Sequence, residues 1–324
     1  MDNAIDLIAW REKAIQQQIT EWHKLILSEA GSAALLEAKT NHETLLHPLF
    51  EKLRDLYTIE LPIVKLREES DVVLHAEGKD IGGENPQLRA VNLLGQKVRT
   101  QFGKLAVAVM PSGDDQAIAA SKEAQWEITG LVPGSIYMGF ALQRSYSAGG
   151  FAQSGEKISD LIVNAAKSVS EVPQFIGDHG VNEGLTEVIT DPALRDAAMM
   201  AAMDFAPTKS SSFDSVEILV PGGSSGVLHT RQRNTLRQAL IKPMMRKKQN
   251  GAFLGELNQI DLDAGRFQLR NVPGIGTIRC VMELTPDSAR NWLGNKVVVS
   301  GIYDTDVAGR PRLMRATNIE VANQ

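Results

Sequence analysis

Cysteine is almost absent: Cys280 is the only one in 324 residues. A single thiol excludes a disulfide framework and any zinc site built on cysteine pairs, and it suits a reducing compartment. Aromatic residues are scarce as well, at 5%, which limits the stacking platforms that single-stranded nucleic acids use. No apolar run reaches the roughly 18–20 residues of a membrane span. The opening Met1-Asp2-Asn3-Ala4-Ile5-Asp6 is acidic where a secretory signal is basic. Neither sign of charge dominates, and a net −5 does not by itself mark a polyanion-binding protein. What is present is 43% hydrophobic and 23% charged residues. That composition builds a packed core in two or three parts, and with the absences above it points to a soluble cytoplasmic protein without a membrane partner. No internal repeat or low-complexity tract interrupts it.

The chain divides into three textures. Residues 1–57 read as a helical hairpin. Ile5, Leu7, Ile8, Ile15, Ile19, Trp22, Leu25 and Ile26 recur mainly at spacings of three, four and seven, the mark of an amphipathic helix. Gly31-Ser32 ends it. A second stripe, Leu35, Leu36, Leu45, Leu46, Leu49, Leu53 and Leu56, runs from Ser32 to Tyr57 with a break expected at His47-Pro48. These stripes suit an intrachain core, a partner protein or a homo-oligomer seam.

Residues 58–249 read as an α+β region ending in a basic helix. Ile59 to Leu66 alternates like a strand, and Asp71 to Gly78 reads as a second one. Gly82 to Pro86 breaks the chain before a helix over Gln87–Met110. Trp126–Thr129 and Ile136–Leu142 then form a hairpin around a Pro133-Gly134 type II turn. A helix-rich stretch follows, broken at Gly149-Gly150, Gly177 and Gly180. Asp191-Pro192 starts a helix over Ala193–Phe205 as cap and first-turn proline. Phe213–Val220 is a strand, Pro221–Gly226 a glycine-rich turn, and Thr230 the cap of a helix running to Met244.

Residues 250–324 are dense in short strands and tight turns. Five strands, with one helix started by Thr285 between the third and fourth, is the element order of an OB-like barrel, with an SH3-like barrel as the alternative. Phe267 and Leu269 share its inner face, and Gly255 and Gly301 fall where small barrels need close approach. The fold class is therefore α+β with a C-terminal five-stranded small barrel.

The run Gly255-Glu256-Leu257, Asp263 to Arg270, Lys296 to Gly301, Gly309 to Leu313 and Ile319-Glu320 resembles the C-terminal barrel of certain uncharacterised bacterial proteins. In those proteins a helical and α+β part precedes the barrel, with a hairpin similar to Val132–Tyr137. The resemblance covers about a third of the chain and rests on turn and barrel signatures. It implies a bacterial setting near toxin–antitoxin or phage-defence genes and a partner protein encoded nearby. It implies no active site.

Each catalytic pattern lacks a second requirement. Gly222-Gly223-Ser224-Ser225-Gly226 follows a strand as a nucleophile elbow does, but His229 is the only histidine after it; a flexible turn before a helix is the ordinary reading. It also lacks the Gly-Lys-Ser/Thr ending of a P-loop. His75-Ala76-Glu77 matches half of a zinc deaminase motif whose other half needs two cysteines. Asp71, Glu77 and Lys79 would share a face of one strand and suggest a metal-dependent nuclease, against the ordinary reading of a solvated strand face. Asp261/Asp263 and Asp304/Asp306 precede glycines, where aspartate shapes turns. His23, His42, His47 and His179 show no ligand spacing. No motif calls for a metal or cofactor.

The most distinctive feature is electrostatic. From Leu219 to Gly255 there is no acidic residue, while Arg231, Arg233, Arg237, Lys242, Arg246, Lys247 and Lys248 supply +7, leaving −12 on the rest. Barrel residues Arg266, Arg270, Arg279 and Arg312 continue the series, with Arg310 and Arg315 beside them. Two readings follow: a cationic groove for single-stranded DNA or RNA, or a basic face that docks an acidic protein surface, this chain's own N-terminal part included. The sequence favours the second, and with it a binding or regulatory subunit acting through protein contacts rather than catalysis. The nucleic-acid module is the alternative and the nuclease a second one.

Overall fold

The computed structural model describes residues 4–28, 31, 33–34, 42–79, 81, 86–110, 124–132, 134–143 and 152–322. Leu35, Leu36, Gly82, Pro133 and the Gly149-Gly150 break lie outside them. Helix α1 (Ala4–Leu27) packs against α2 (His42–Asp55), a π-helical turn over Leu56–Glu60 and α3 (Leu61–Glu69). Ile8, Leu46, Leu49 and Leu56 are buried between them, and Arg11 pairs with Glu60 across the layer. Two expectations are corrected here. Helix α2 runs through Pro48 without ending, because burial of Leu46 and Leu49 on either side holds it across one missing donor. The alternating Ile59–Leu66 stretch is helical. Pro62 follows directly on the π-helical turn, whose last bond runs from the Leu61 N–H to the Leu56 carbonyl, and the helix continues through that turn from α2 into α3. Ile63 and Leu66, three apart, pack as a helical stripe onto Val73, Val132 and Leu219, so a 3.6-residue period wins over the period of two.

Strands β1 (Val72–Glu77), β2 (Trp126–Val132), β3 (Ile136–Leu142), β6 (Ser215–Leu219) and β7 (Val227–His229) form one antiparallel sheet in the order β2-β3-β1-β6-β7. The expected hairpin is β2–β3, and Gly134 in its turn has φ +113°. Residues of period two face each side. Val72, Leu74, Ala76, Ile136, Met138, Val216 and Ile218 enter the main core with α4 (Leu88–Val109) and α5 (Ala152–Glu171). A 3₁₀ turn over Val172–Phe175, the small hairpin β4 (Ile176–Gly177) and β5 (Gly180–Val181), and α6 (Leu185–Val188) lead to α7 (Pro192–Phe205). Asp191 caps α7, its Oδ1 accepting from the N–H groups of Ala193 (2.8 Å) and Leu194 (3.1 Å), as the sequence predicts. Helix α7 is alanine-rich and buried nearly all round, the pattern of a helix enclosed by other elements. It lies between the α+β body and the barrel.

Helix α8 (Thr230–Ile241) is capped by His229, which forms a reciprocal box with Gln232, and ends before Met244. Thr230 is thus the first helical residue rather than the cap, because β7 delivers His229 in extended conformation directly to the helix. The barrel comprises β8 (Gln249–Asp261), β9 (Arg266–Val272), β10 (Gly276–Val281), α9 (Pro286–Trp292), β11 (Lys296–Thr305) and β12 (Pro311–Val321). It closes in the order β10-β12-β11-β8-β9, with β10 and β12 parallel. A parallel third–fifth pair with a helix between the third and fourth strands fits the OB-like alternative, a five-stranded Greek-key barrel. Leu257, Phe267, Leu269, Ile278, Cys280, Val297, Val299 and Met314 fill it. At Gly255 an added Cβ would sit 2.6 Å from the Arg270 carbonyl oxygen, the close approach that only glycine permits.

Candidate functional site

The basic residues divide into two groups with different fates. The first group faces inward. Arg266, on β9, is buried and donates through Nε (3.1 Å) and Nη2 (2.8 Å) to Asp196 of α7, and to the carbonyls of Leu240 and Ala264. Arg279, on β10, donates to the same carboxylate through Nε at 2.6 Å. Arg312, on β12, donates to Asp191 Oδ2 at 3.1 Å and to the Ala108 carbonyl at 2.8 Å. Arg233 of α8 reaches the Met203 carbonyl and pairs with Asp204 at 3.7 Å. Lys97 of α4 reaches the carbonyls of Asp204 and Phe205. Ala108, Leu240, Met203 and Asp204 all lie in the last turns of helices, where unpaired carbonyls and the negative end of the dipole favour a cation.

Charge flows the other way once. Arg195, on α7, is 1% exposed and donates to Asp304 Oδ2 of β11 (2.9 Å), and to the carbonyls of Ile189 (2.8 Å) and Met244 (2.9 Å). Asp304 also accepts from the backbone N–H groups of Arg246 (2.8 Å), Lys247 (3.0 Å) and Thr305 (2.9 Å). It therefore ties the segment between α8 and β8 to the barrel. This corrects its expected role as a turn-shaping aspartate. Asp306 and Asp261 do shape turns, accepting from Ala308 and Arg310 and from Ala264. Burial acts to raise the pKa of Asp196, but Arg279 and Arg266 together outweigh it and hold the carboxyl below its ordinary range. Burial lowers the pKa of Arg195, against the opposing pull of Asp304.

Arg266 of β9, Arg279 of β10 and Arg312 of β12 thus tie the barrel to α7 and its cap. OB-folds that bind oligonucleotides use the second and third strands and the neighbouring loops; here Arg266 and Arg279 of those strands are taken up by the chain's own helix, while Gln268 and Arg270 on the same face stay half-exposed. The second group stays outside. Arg237, Lys242, Lys247 and Lys248 are exposed, and so are Arg231 and Arg246, which pair with Asp178 (2.6 Å) and Glu187 (2.9 Å). Arg270 is half-buried against Gln268. Phe253 and Tyr303 pack edge to face on β8 and β11.

The patterns read from sequence end differently. Asp71 and Glu77 bracket β1 at opposite ends, about 20 Å apart at the usual strand rise, so the strand does not bring them to one metal. Asp71 accepts from the Leu142 N–H at 2.8 Å. The Ser224 N–H donates to Glu171, and His229 contacts the Asp214 carbonyl. Among the described residues no group of three His, Cys, Asp or Glu side chains is arranged to hold a metal, and no helix is long and apolar enough to cross a membrane. Cys280 lies in the barrel core, and burial pushes its thiol pKa well up.

Two further features stand out, the first on the stripe read from the sequence and the second invisible in it. One is on the helical layer: of the 24 residues of α1, only Ile8 is buried. Leu7, Trp10, Trp22 and Leu25 of α1 are exposed, as are Phe50, Tyr57 and Ile59 beside it, with Trp10 at 66%. The other is a polar cluster on the sheet. His75 faces Glu217 and Tyr137 across β6 and β3, and its ring stacks on Tyr137 at 3.9 Å and 6°. Cross-strand register, invisible in the sequence, assembles it. Comparison with family models, curated proteins and solved structures finds no match.

Proposed function

We propose that the protein is a binding or regulatory subunit that holds a partner protein on its N-terminal helical layer. The observation supporting this is α1 itself, a long helix with one buried residue and large apolar side chains left in water. Such clustered exposure is costly on an isolated protein and is what a protein interface covers. The partner is one presenting an apolar helix or groove. A bacterial defence or toxin–antitoxin setting, with the partner encoded nearby, rests on the resemblance of the barrel. The test is co-purification from the native host of the full chain and of a Leu7→Glu/Trp10→Glu variant, with oligomeric state measured alongside. The product of a neighbouring gene should accompany the wild type and be lost from the variant while circular dichroism is unchanged. Failure of any partner to co-purify removes the proposal, and self-association lost in the variant would replace it with a homo-oligomer.

A second reading is favoured by the exposed cations of α8 and the segment after it. Arg237, Lys242, Lys247 and Lys248 would track the backbone of single-stranded DNA or RNA without drawing on Arg266 or Arg279, which are paired with Asp196. Fluorescence anisotropy across a salt series tests it. Log affinity should fall with log salt at a slope of about −0.7 per phosphate contacted, and Lys242→Gln/Lys247→Gln/Lys248→Gln should flatten that slope. No binding at low salt refutes it.

A further inference from the structure

Beyond the binding role, and independent of it, the sheet carries an arrangement with chemistry of its own. His75 Nε2 lies 3.0 Å from Ser135 Oγ, and His75 Nδ1 lies 3.3 Å from Glu217 Oε2. Three elements supply the three groups: the β2–β3 turn, the central strand β1, and β6. The pairing of His75 with both Tyr137 and Glu217 lines up the row, and Ser135 stands in the turn one residue before β3 begins. The imidazole is held on all sides. It stacks on Tyr137, its side chain is only 13% exposed, and Glu77 Oε1 stands 3.4 Å from Nε2. Ser135 follows Gly134, whose φ of +113° turns the chain sharply and leaves the serine on the turn rather than in a strand.

We propose that Ser135, His75 and Glu217 form a nucleophilic site that takes a small uncharged or cationic carboxylic ester. Nucleophile bonded to base, and base oriented by a carboxylate, is the constellation that activates a serine. In the reacting tautomer Glu217 accepts from Nδ1–H and Nε2 takes the serine proton, with Glu77 as the competing contact of Nε2. As Oγ attacks the ester carbonyl carbon, its proton passes to Nε2. The C–O bond to the leaving alkoxide then breaks, and the alkoxide takes that proton from Nε2, leaving an acyl-Ser135. Water repeats the cycle: it gives a proton to Nε2, attacks the acyl carbon, and releases the acid as Ser135 recovers its proton. Glu77 and Glu217 both stabilise the imidazolium formed at each step. The same two carboxylates repel an anionic substrate, which sets the charge preference. His75 and Ser135 are the catalytic residues, and Glu217 is a positioning residue.

The experiment is covalent labelling of the full chain with a fluorophosphonate, followed by mass mapping. Ser135 should carry the label. The Ser135→Ala variant should take none there, and His75→Gln should label about 10²–10⁴-fold more slowly, the usual contribution of a general base. Glu217→Gln should slow labelling at a fixed pH by as much as about 10⁴-fold, the cost of losing the carboxylate that sets the imidazole tautomer, and Glu217→Asp should restore part of the rate. Variants are matched by circular dichroism and thermal unfolding, and the conservative His75→Gln and Glu217→Gln changes keep the comparison on folded protein. Absence of label on Ser135 in the folded wild type, or a His75→Gln rate equal to wild type, overturns the proposal. A Glu217→Gln rate equal to wild type removes Glu217 from it.

Discussion

Replacing Asp196 by Asn tests whether the barrel is locked to the body by charge rather than by shape. Asp196 is 3% exposed and receives three guanidinium N–H bonds, two from Arg266 and one from Arg279. Arg266 is itself 7% exposed, so removing the carboxylate charge strands a buried guanidinium. Breaking a buried pair from one side costs about 3–5 kcal/mol, a large share of the 5–15 kcal/mol that a domain commands. Urea unfolding followed by circular dichroism should therefore show Asp196→Asn less stable by that amount with an unchanged m-value. The pH dependence has a definite sign. The folded pKa of Asp196 is depressed, so its contribution is present above the unfolded value of about 3.9 and is lost only as pH falls through the lower folded value. The difference between wild type and Asp196→Asn should persist through pH 4 and close below it. Replacing all three members by apolar residues (Asp196→Leu, Arg266→Met, Arg279→Met) should recover much of the loss, because no unpaired charge remains. A cost below about 1 kcal/mol, the value of a solvent-exposed pair, would refute the reasoning.

Glycines offer a paired test in the urea assay. An Ala at Gly301 would drive its Cβ into the Arg315 carbonyl and to 2.9 Å from the Ala316 Cα, both backbone, and should destabilise the barrel by about 1–3 kcal/mol or more. Gly103→Ala, mid-helix in α4 with open space around the new Cβ, should stabilise by about 0.4–1 kcal/mol. Burial lowers the Lys97 pKa to about 8, so between pH 8 and the unfolded value near 10.4 the unfolded chain binds the extra proton and stability rises with pH. The stability difference between wild type and Lys97→Met should therefore shift in favour of wild type from pH 7.5 to 9.5 in urea unfolding, the opposite slope of the buried Cys280 thiol being common to both. Cys280 should resist a thiol reagent at pH 8 in the native chain and react on unfolding, because its thiol is buried and held protonated; fast reaction in the native chain would place it outside the core.

Local signals carried most of the element list. The Asp191-Pro192 cap, the Leu88–Val109 stripe, the β2–β3 hairpin and all five barrel strands are readable because each depends on residues within a few positions of one another. Ile59–Leu66 misled because both periods were present, and only the sheet beneath, offering Val73 and Leu219 to Ile63 and Leu66, selects the helical one. The basic series was visible as a series but not as two groups. Nothing adjacent in sequence distinguishes Arg266, on a buried carboxylate, from Lys247, in water.

Composition and local pattern by themselves determined the α+β class, the five-stranded barrel, the glycines that let it close and the dipolar charge. Tertiary structure alone decided what the charges do. Asp196 lies 70 residues from Arg266 and 83 from Arg279, and Arg195 lies 109 from Asp304. His75 lies 60 residues from Ser135 and 142 from Glu217. Backbone propensity acts over one or two turns, whereas a charge or a hydrogen bond acts on whatever the packed core sets beside it, and that neighbour is fixed by sheet register and by where α7 lies between body and barrel.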